Sequence, residues 1–213
     1  MHARTMLILA LFAAFVLVAT SAGSDERGFM KIFNGKDLSG WHVMDHQDWH
    51  VENGVLWTEG QGGWLRSEKR YADFVWRLEY RMAKDSNSGI FLRAAEAGNP
   101  AFTGMEIQIL DDADKPADVH SSGSIYGASA PLHSAAQAAG EWNQEEISCV
   151  GRHVTITLNG HKIEDVNLDD PRFEHAQERP LSKVPGTGHI GLQSHSNRVE
   201  FRNLRIKVLK PAA

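Results

Sequence analysis

The sequence is poor in cysteine and has no excess of positive charge. Cys149 is the only cysteine among 213 residues, so the chain can form neither an internal disulfide nor a cysteine-based zinc cluster. Its spacing from Ile147 predicts a small buried side chain. Asp and Glu outnumber Lys and Arg by 27 to 22, and the basic residues are scattered. This distribution argues against a nucleic-acid partner and against a polybasic membrane footprint. With 42% hydrophobic and 23% charged residues, the composition is that of an ordinary globular protein.

The first residues have the order of a secretory signal. Arg4 precedes an uninterrupted apolar run over residues 6–19, and small residues follow at 20–23. The run is shorter than the ~20 residues that span a bilayer as a helix. The sequence therefore predicts a signal peptide over residues 1–22, a secreted or periplasmic protein, and no stable membrane insertion after cleavage; an uncleaved anchor is the alternative. No cysteine follows the run, so we do not expect a lipoprotein anchor.

The rest of the chain reads as short β-strands separated by turn residues. Asn53-Gly54 and Asn159-Gly160 each lie between two alternating segments, which is the signal of a tight β-hairpin. No segment has a convincing amphipathic helical pattern, and residues 128–139 are small and polar, as in a loop. The sequence therefore predicts an all-β fold, an antiparallel two-sheet jelly-roll sandwich, in a single domain over residues 29–210.

Four of the predicted strands have one apolar and one polar face, since side chains two residues apart share a face. The polar faces carry Arg77, Glu79, Arg81, Arg93, Glu106, Gln108, His189, Gln193 and His195. One interpretation is a solvated outer face, which every antiparallel sandwich has. The interpretation that we favour is a concave sheet that binds carbohydrate through planar hydrogen-bonding groups. Gly89, Gly104 and Gly188 lie beside these residues, and glycine removes bulk where something approaches a sheet closely.

The sequence resembles the 3-keto-disaccharide hydrolase family, formerly the domain of unknown function 1080. The resemblance covers nearly the whole mature chain, with the motifs in the family's order. The matching segments are 32–41 (IFNGKDLSGW), 49–56 (WHVENGVL), 74–81 (FVWRLEYR), 87–93 (NSGIFLR), 106–111 (EIQILD), 124–127 (SIYG), 140–143 (GEWN), 158–160 (LNG), 188–193 (GHIGLQ) and 199–203 (VEFRN).

This resemblance implies both a fold and a reaction. The implied fold is that of concanavalin-A-like lectins and glucanases, two curved antiparallel sheets with a ligand groove on the concave side. The implied substrates are sugars already oxidised to a ketone at C3. Such a ketone acidifies the C2 proton, so a general base can remove it and the aglycone leaves from C1 by β-elimination. Water then adds to the 3-keto-2-hydroxyglucal. The reaction needs a base, an acid for the leaving oxygen, and positive or hydrogen-bonding groups around the enolate.

Four residues of the polar faces are the candidates for catalysis. Glu106, in the middle of its strand, is the candidate carboxylate, and an ion pair with Arg81 or Arg93 is the alternative. His195 shares a strand face with Gln193 and is the candidate imidazole, with an ordinary surface histidine as the alternative. Arg81 and Arg93 are candidates for stabilising an enolate oxygen or holding a carboxylate. The candidates for sugar contacts or support of the site are Glu79, Asn87, Gln108, Asp111, Tyr126, Trp142, Asn143 and Gln193.

No cofactor is certain, and two rival functions stay open. A divalent metal ion could act as Lewis acid on the enolate if the fold brings Glu106, His189 and His195 together, but its ligands are unassigned. An ordinary retaining glucanase of this fold carries a Glu-x-Asp-x-Glu strand, and the equivalent positions here are Glu106, Gln108 and Leu110, which disfavours that mechanism. A non-catalytic sugar-binding module is the other rival. The predicted partner is a carbohydrate substrate, and the sequence has no signal for an oligomeric state.

Overall fold

The computed structural model describes residues 26–176 and 180–210 as two antiparallel β-sheets packed face to face. The predicted signal peptide lies outside the described residues. The strands are β1 (Met30–Lys31), β2 (Trp41–Met44), β3 (His50–Glu52), β4 (Val55–Thr58), β5 (Trp64–Tyr71), β6 (Phe74–Met82), β7 (Asn87–Ala94), β8 (Met105–Leu110), β9 (Trp142–Val150), β10 (His153–Leu158), β11 (His161–Asn167), β12 (Gly188–Gln193) and β13 (Val199–Val208). One short helix, α1 (Pro100–Thr103), follows β7, and 3₁₀ turns lie at Pro171–Phe173 and Leu181–Lys183.

The larger sheet has eight strands in the order β11-β10-β9-β6-β13-β4-β3, with β1 pairing separately to β13. The smaller sheet has five strands in the order β2-β5-β12-β7-β8. All the pairings are antiparallel, and strands from distant parts of the sequence lie side by side, as in a jelly roll. The predicted fold class is confirmed. Among the described residues, no helix has the length and apolar character needed to cross a membrane.

Both predicted hairpins are present. The turn between β3 and β4 places Asn53 at φ 50° and Gly54 at φ 79°, and the turn between β10 and β11 places Asn159 at φ 52° and Gly160 at φ 82°. Two successive positive φ angles characterise the turn that matches the twist of the flanking strands, and Asn and Gly tolerate them best. These two dipeptides therefore set the register of two hairpins in the larger sheet.

The core lies between the sheets and is built from the apolar faces of the strands. In β6 the alternation is regular: Trp76, Leu78 and Tyr80 are at most 2% exposed, while the residues between them are partly exposed. Cys149 is a free, fully buried thiol, as its alternation with Ile147 predicted. In contrast, β8 is buried on both faces over 105–109. Loops and α1 therefore cover part of the outward face of the smaller sheet, where polar side chains lie.

The four strands expected to share one polar surface do not all lie in the same sheet. β7, β8 and β12 are neighbours in the smaller sheet, but β6 lies in the larger one. Arg77, Glu79 and Arg81 of β6 therefore point from the opposite side of the sandwich, and the expectation of a single polar face was wrong in this respect. Alternation predicts which face of a strand is polar, but sheet membership depends on pairings between distant segments.

Candidate active site

The outward face of the smaller sheet carries a row of side chains that crosses four strands. Arg66 of β5 pairs with Gly191 of β12, Gly191 pairs with Phe91 of β7, and Phe91 pairs with Glu106 of β8. Directly paired residues of an antiparallel sheet lie on the same face. The row therefore brings a guanidinium, an aromatic ring and a carboxyl group onto one surface.

Trp64 and Phe91 form an aromatic floor on this face. Their rings meet edge to face with centroids 5.5 Å apart, and both side chains are at most 3% exposed. Gly191 permits the contact, because a Cβ atom at that position would collide with the indole of Trp64. Together with Ala94 these rings form a hydrophobic cluster that is separate from the core between the sheets. Because both rings are covered by other parts of the chain, they form a packed apolar base on the outside of this sheet.

A cleft of about 570 Å³ lies over the aromatic floor. Its walls come from loops next to the strand ends, and its polar lining comes from side chains of different loops. The residues lining it are Asp45, Gly62, Gly63, Trp64, Phe91, Gly98, Asn99, Pro100, Gln193, Ser194 and His195. The Oε1 atom of Gln193 is buried without a hydrogen-bond partner among the described residues, and His195 is exposed. A volume of this size accommodates a small ligand such as a disaccharide.

Glu106 is the direct cross-strand neighbour of Phe91, which lines the cleft, but it does not itself line the cleft. The residue is 5% exposed, and its Oε1 atom lies over Gly89 of β7, so that the carboxyl group reaches from β8 toward the middle of the sheet. It lines a separate, small cavity of about 30 Å³ with Tyr126, next to α1. Burial raises the pKa of Glu106 to about 8. No hydrogen-bond partner for the carboxyl group is present among the described residues, and neither Arg81 nor Arg93 forms an ion pair with it.

Arg93 is fully buried and binds parts of the backbone. Its guanidinium donates to the carbonyl oxygens of Ala72 and Gly151 at 2.7–3.2 Å and lies 3.4 Å from the carboxylate of Asp73. Its φ angle of 53° places it at an irregularity in the pairing of β7 with β12. The Arg93 side chain therefore links the turns at Ala72 and Gly151, and it is not exposed to the cleft.

Arg81, Glu79 and Trp142 lie together on the outward face of the larger sheet, away from the cleft. Arg81 forms an ion pair with Glu200, and Glu79 accepts a hydrogen bond from Arg202 at 2.8 Å. Arg81 and Trp142 are paired across β6 and β9. The structure therefore does not bring these three candidates near Glu106.

Asn143 lies on the inner face of β9 and is fully buried. Its Oδ1 atom accepts hydrogen bonds from the backbone of Gln137 and from the side chain of Asn159, both at 2.8 Å. It therefore holds the loop before β9 against the β10–β11 turn.

The remaining candidates lie around Glu106 in the smaller sheet. Gln108 shares the face of Glu106 on β8 and donates to Asn87 Oδ1 at 3.3 Å. The backbone of Tyr126 donates to the carbonyl oxygen of Glu106 at 3.0 Å, which fixes the loop beside it. Asp111 accepts a hydrogen bond from the backbone of Asp85, at the end of the sheet.

The glycines beside the polar residues accommodate parts of the protein itself. A Cβ atom at Gly89 would overlap the carboxyl group of Glu106, and one at Gly104 or Gly188 would overlap the backbone of β7. The close approach inferred from the sequence is therefore real. At these three positions, however, another part of the chain makes the approach.

Asp48 supports two walls of the cleft and was not identified from the sequence. Its carboxylate accepts hydrogen bonds from Thr58 Oγ1 at 2.6 Å, Ser194 Oγ at 3.0 Å and the backbone of Gln61 at 2.8 Å. Burial favours a raised pKa for Asp48, but these hydrogen bonds outweigh it and lower the pKa. The contacts tie the loop before β5 to the segment that carries His195, so Asp48 positions two walls.

Trp64, Arg66 and Asp48 are the residues that sequence reasoning missed. Trp64 and Arg66 alternate with Leu65 and Ser67 at the start of β5, so the period of two was a usable signal for this pair. For Asp48 there was no comparable signal, because its partners are up to 146 positions away in the sequence.

No group of three or more His, Cys, Asp and Glu side chains in residues 26–176 and 180–210 is arranged to hold a metal ion. In particular, Glu106, His189 and His195 do not form such a group. His189 is mostly buried, and its Nδ1 atom lies 2.8 Å from the carbonyl oxygen of Ser67. Burial, the largest cause, lowers its pKa.

Comparison with known proteins identifies the family. The amino-acid pattern of the 3-keto-alpha-glucoside-1,2-lyase-like domain matches residues 28–207. The chain belongs to this family. A curated 3-keto-disaccharide hydrolase from Bacteroides thetaiotaomicron is 26% identical, in an alignment that covers 87% of this chain and 80% of that protein. This lyase-like domain is thus a carbohydrate-active protein, and the resemblance recognised in the sequence is confirmed.

Solved structures agree with this assignment. A candidate glycosyl hydrolase from Parabacteroides distasonis superposes on the lyase-like domain with a TM-score of 0.78 and 26% identity, covering 86% of this chain and 94% of that one. The carbohydrate-binding module CBM66 from Bacillus subtilis superposes with a TM-score of 0.52 and 14% identity, covering 79% and 95%. At that identity the second similarity supports the shared sandwich fold alone.

Proposed function

We propose that this chain is an exported enzyme that cleaves 3-keto-glycosides, with Glu106 as the general base that removes the C2 proton. The observation that carries the proposal is the state of Glu106: a buried carboxyl group without a hydrogen-bond partner, with its pKa raised to about 8, next to an aromatic-floored cleft. A base works best when its pKa is near the working pH.

In the proposed reaction, the ionised Glu106 takes the proton from C2, and the C2–H electron pair forms the enolate of the C3 ketone. As the enolate collapses, the bond from C1 to the aglycone oxygen breaks, and that oxygen receives a proton. We assign His195 as the donor of this proton, because it is the imidazole that lines the cleft. Water then adds across the resulting double bond, with its hydroxyl at C1 and its proton at C2, so that the net reaction is hydrolysis.

The other residues of the cleft bind and orient the sugar in this proposal. Trp64 and Phe91 form the packed floor beneath the sugar, and Gln193, which lines the cleft, hydrogen-bonds a sugar hydroxyl. Arg66 lies at the far end of the Glu106 row, outside the cleft lining, and its Nη1 atom lies 3.4 Å from the carboxylate of Glu96.

The deciding experiment compares a 3-keto nitrophenyl glucoside with its unoxidised counterpart in deuterated buffer. We expect nitrophenol release from the keto substrate alone, together with deuterium at C2 of the product. Release from the unoxidised glucoside without exchange would contradict the proposal and favour ordinary hydrolysis. Binding of both sugars without turnover would favour a non-catalytic module.

Parallel reactions with a chelator test the contribution of a divalent metal ion. Loss of nitrophenol release in the presence of the chelator would mean that the reaction requires the ion.

Substitution of Gly89 by Ala tests the placement of Glu106. The added Cβ would overlap Glu106 Oε1, so the carboxyl group must leave its place over Gly89, and we expect kcat to fall by about tenfold or more. Gly186→Ala is a suitable control, because a Cβ at Gly186 contacts nothing within 4 Å. Both variants would be assayed with the keto glucoside, and their melting temperatures compared. Unchanged kcat in Gly89→Ala would contradict the assigned position of the base.

A further inference from the structure

The outward face of the larger sheet carries its own row of aromatic and charged side chains. The row crosses five strands in register: His50 of β3, Trp57 of β4, Glu200 of β13, Arg81 of β6 and Trp142 of β9. The two indoles are three strand spacings apart, or about 14 Å. This surface lies on the side of the sandwich opposite the cleft and takes no part in the proposed reaction.

A cavity of about 210 Å³ opens in the middle of this row. It forms where the loop before β9 meets the end of β6 and the start of β13, and its size suits one sugar ring. Met82, Ala83 and Gly140 form its floor, although the Met82 side chain packs in the core between the sheets, and Arg81, Arg198 and Glu200 supply the polar wall.

The polar wall has unpaired hydrogen-bond donors, whereas both carboxylate oxygens of Glu200 are already paired. Glu200 accepts from Arg81 through one oxygen and from Arg198 through the other. Arg198 also donates to Glu59 at 3.0 Å. Nη1 of Arg81 and Nη2 of Arg198 have no partner among the described residues, and both side chains are more than a third exposed. A ligand for this wall must therefore supply acceptor oxygens.

The indoles hold the two guanidinium groups in place. Arg198 lies over Trp57 with Cζ 3.9 Å from the ring centroid, and Arg81 lies 4.8 Å from the centroid of Trp142. Such stacking fixes the plane of a guanidinium and reduces the conformational entropy lost when a ligand binds. Two guanidinium groups held in fixed planes, each with one unengaged nitrogen, suit the two oxygens of a carboxylate attached to a sugar ring.

We propose that this cavity is a second, non-catalytic sugar site that binds a carboxylate-bearing sugar residue, with Arg81 and Arg198 as the carboxylate ligands. The ring rests against Met82, Ala83 and Gly140, and its carboxylate accepts from the two unengaged guanidinium nitrogens. The site would retain the protein on an acidic glycan while the cleft on the other side stays free. This assignment is independent of the reaction proposed for the cleft.

The test uses the mature full-length chain and two ligands that differ only in the carboxylate, methyl β-glucuronide and methyl β-glucoside. Binding is followed by calorimetry and by tryptophan fluorescence, with Trp142→Phe identifying the reporter. We expect the glucuronide to bind at least about tenfold more tightly, as the loss of a charge-assisted hydrogen bond predicts. Arg81→Lys and Arg198→Lys keep the charge but lose the planar fork, and each should weaken glucuronide binding about fivefold or more.

Glu106→Gln is the matched control for the cleft and should bind the glucuronide as tightly as the wild type. Equal affinity for the two glycosides, absence of saturable binding, or loss of binding in Glu106→Gln would each overturn the proposal. Acetate binding as tightly as the glucuronide would also overturn it, because the site would then recognise an anion without its sugar. Melting temperatures of the two Lys variants, together with their affinity for the glucoside, separate lost recognition from lost folding.

Discussion

Replacing Glu106 by Gln is expected to reduce the turnover of a 3-keto-glucoside by about 10²–10⁴-fold, the usual contribution of a general base. Gln keeps the shape of the side chain and its place over Gly89 but cannot accept a proton. Because the protonated Glu106 is neutral already, this change leaves the charge of the buried group unaltered at low pH. We therefore expect KM and the melting temperature to change little while kcat falls. The measurement is nitrophenol release together with C2 deuterium incorporation, and both should fall in parallel.

The wild-type pH profile supplies a second signature of the same group. Burial raises the pKa of Glu106 to about 8, so most of the free enzyme holds a protonated Glu106 at neutral pH. If Glu106 acts as the base, kcat/KM for a nitrophenyl glucoside, whose leaving group needs no proton from His195, rises with pH and levels off above about pH 8. If it acts only as an acid, kcat/KM falls over the same range, and the assignment as base is wrong.

Glu79→Gln provides the matched control. Glu79 also lies on the outward face of its strand, but on the opposite side of the sandwich, where Arg202 and Asn203 donate to its carboxylate. Its replacement should leave kcat within about twofold of the wild type and should not alter the pH profile. A loss of activity comparable to that of Glu106→Gln would contradict the separation of the two surfaces.

These two glutamates also show how far sequence reasoning reaches. Alternation of apolar and polar residues correctly placed both on outward faces, and the Asn-Gly dipeptides located both hairpins. Alternation carries no information on which strands pair, since β6 lies next to β9 and β13 while β8 lies next to β7. The strand pairings of the folded protein are needed to show that Glu79 and Glu106, which look equivalent in the sequence, lie on opposite sides of the sandwich.

The site is harder to predict than the fold because its properties arise from neighbours distant in sequence. The raised pKa of Glu106 depends on burial, to which Gly89 contributes by leaving room for the carboxyl group. Arg93 has the residue type of an enolate-stabilising group, yet the structure buries it against the turns at Ala72 and Gly151. A guanidinium that satisfies backbone carbonyls and one that binds substrate have the same sequence signal.

Glu145→Gln is expected to raise the stability of the folded protein at alkaline pH by several kcal/mol. Glu145 is 3% exposed on the inner face of β9, and neither of its carboxyl oxygens has a hydrogen-bond partner among the described residues. Burial raises its pKa from 4.5 to about 8. Between these two values the folded state keeps a proton that the unfolded state has lost, so stability declines as pH rises through this window. Each pKa unit corresponds to about 1.4 kcal/mol.

The comparison of wild type and Glu145→Gln by denaturant unfolding at about pH 5 and pH 9 measures this effect. Near pH 5 the two proteins should differ little, because Gln resembles the protonated carboxyl group. Near pH 9 the folded wild type must either carry a charged Glu145 in the core or keep it protonated above its pKa. Either state lowers the free energy of unfolding of the wild type, and the variant avoids both. Glu68→Gln, an exposed position in the smaller sheet, should change stability by less than about 0.5 kcal/mol at both pH values. The stability of the folded protein falls with pH only if the folded state holds the proton of Glu145. If Glu145→Gln shows the same small effect at both pH values, the prediction is wrong, and the carboxyl group of Glu145 is already ionised and paired in the core.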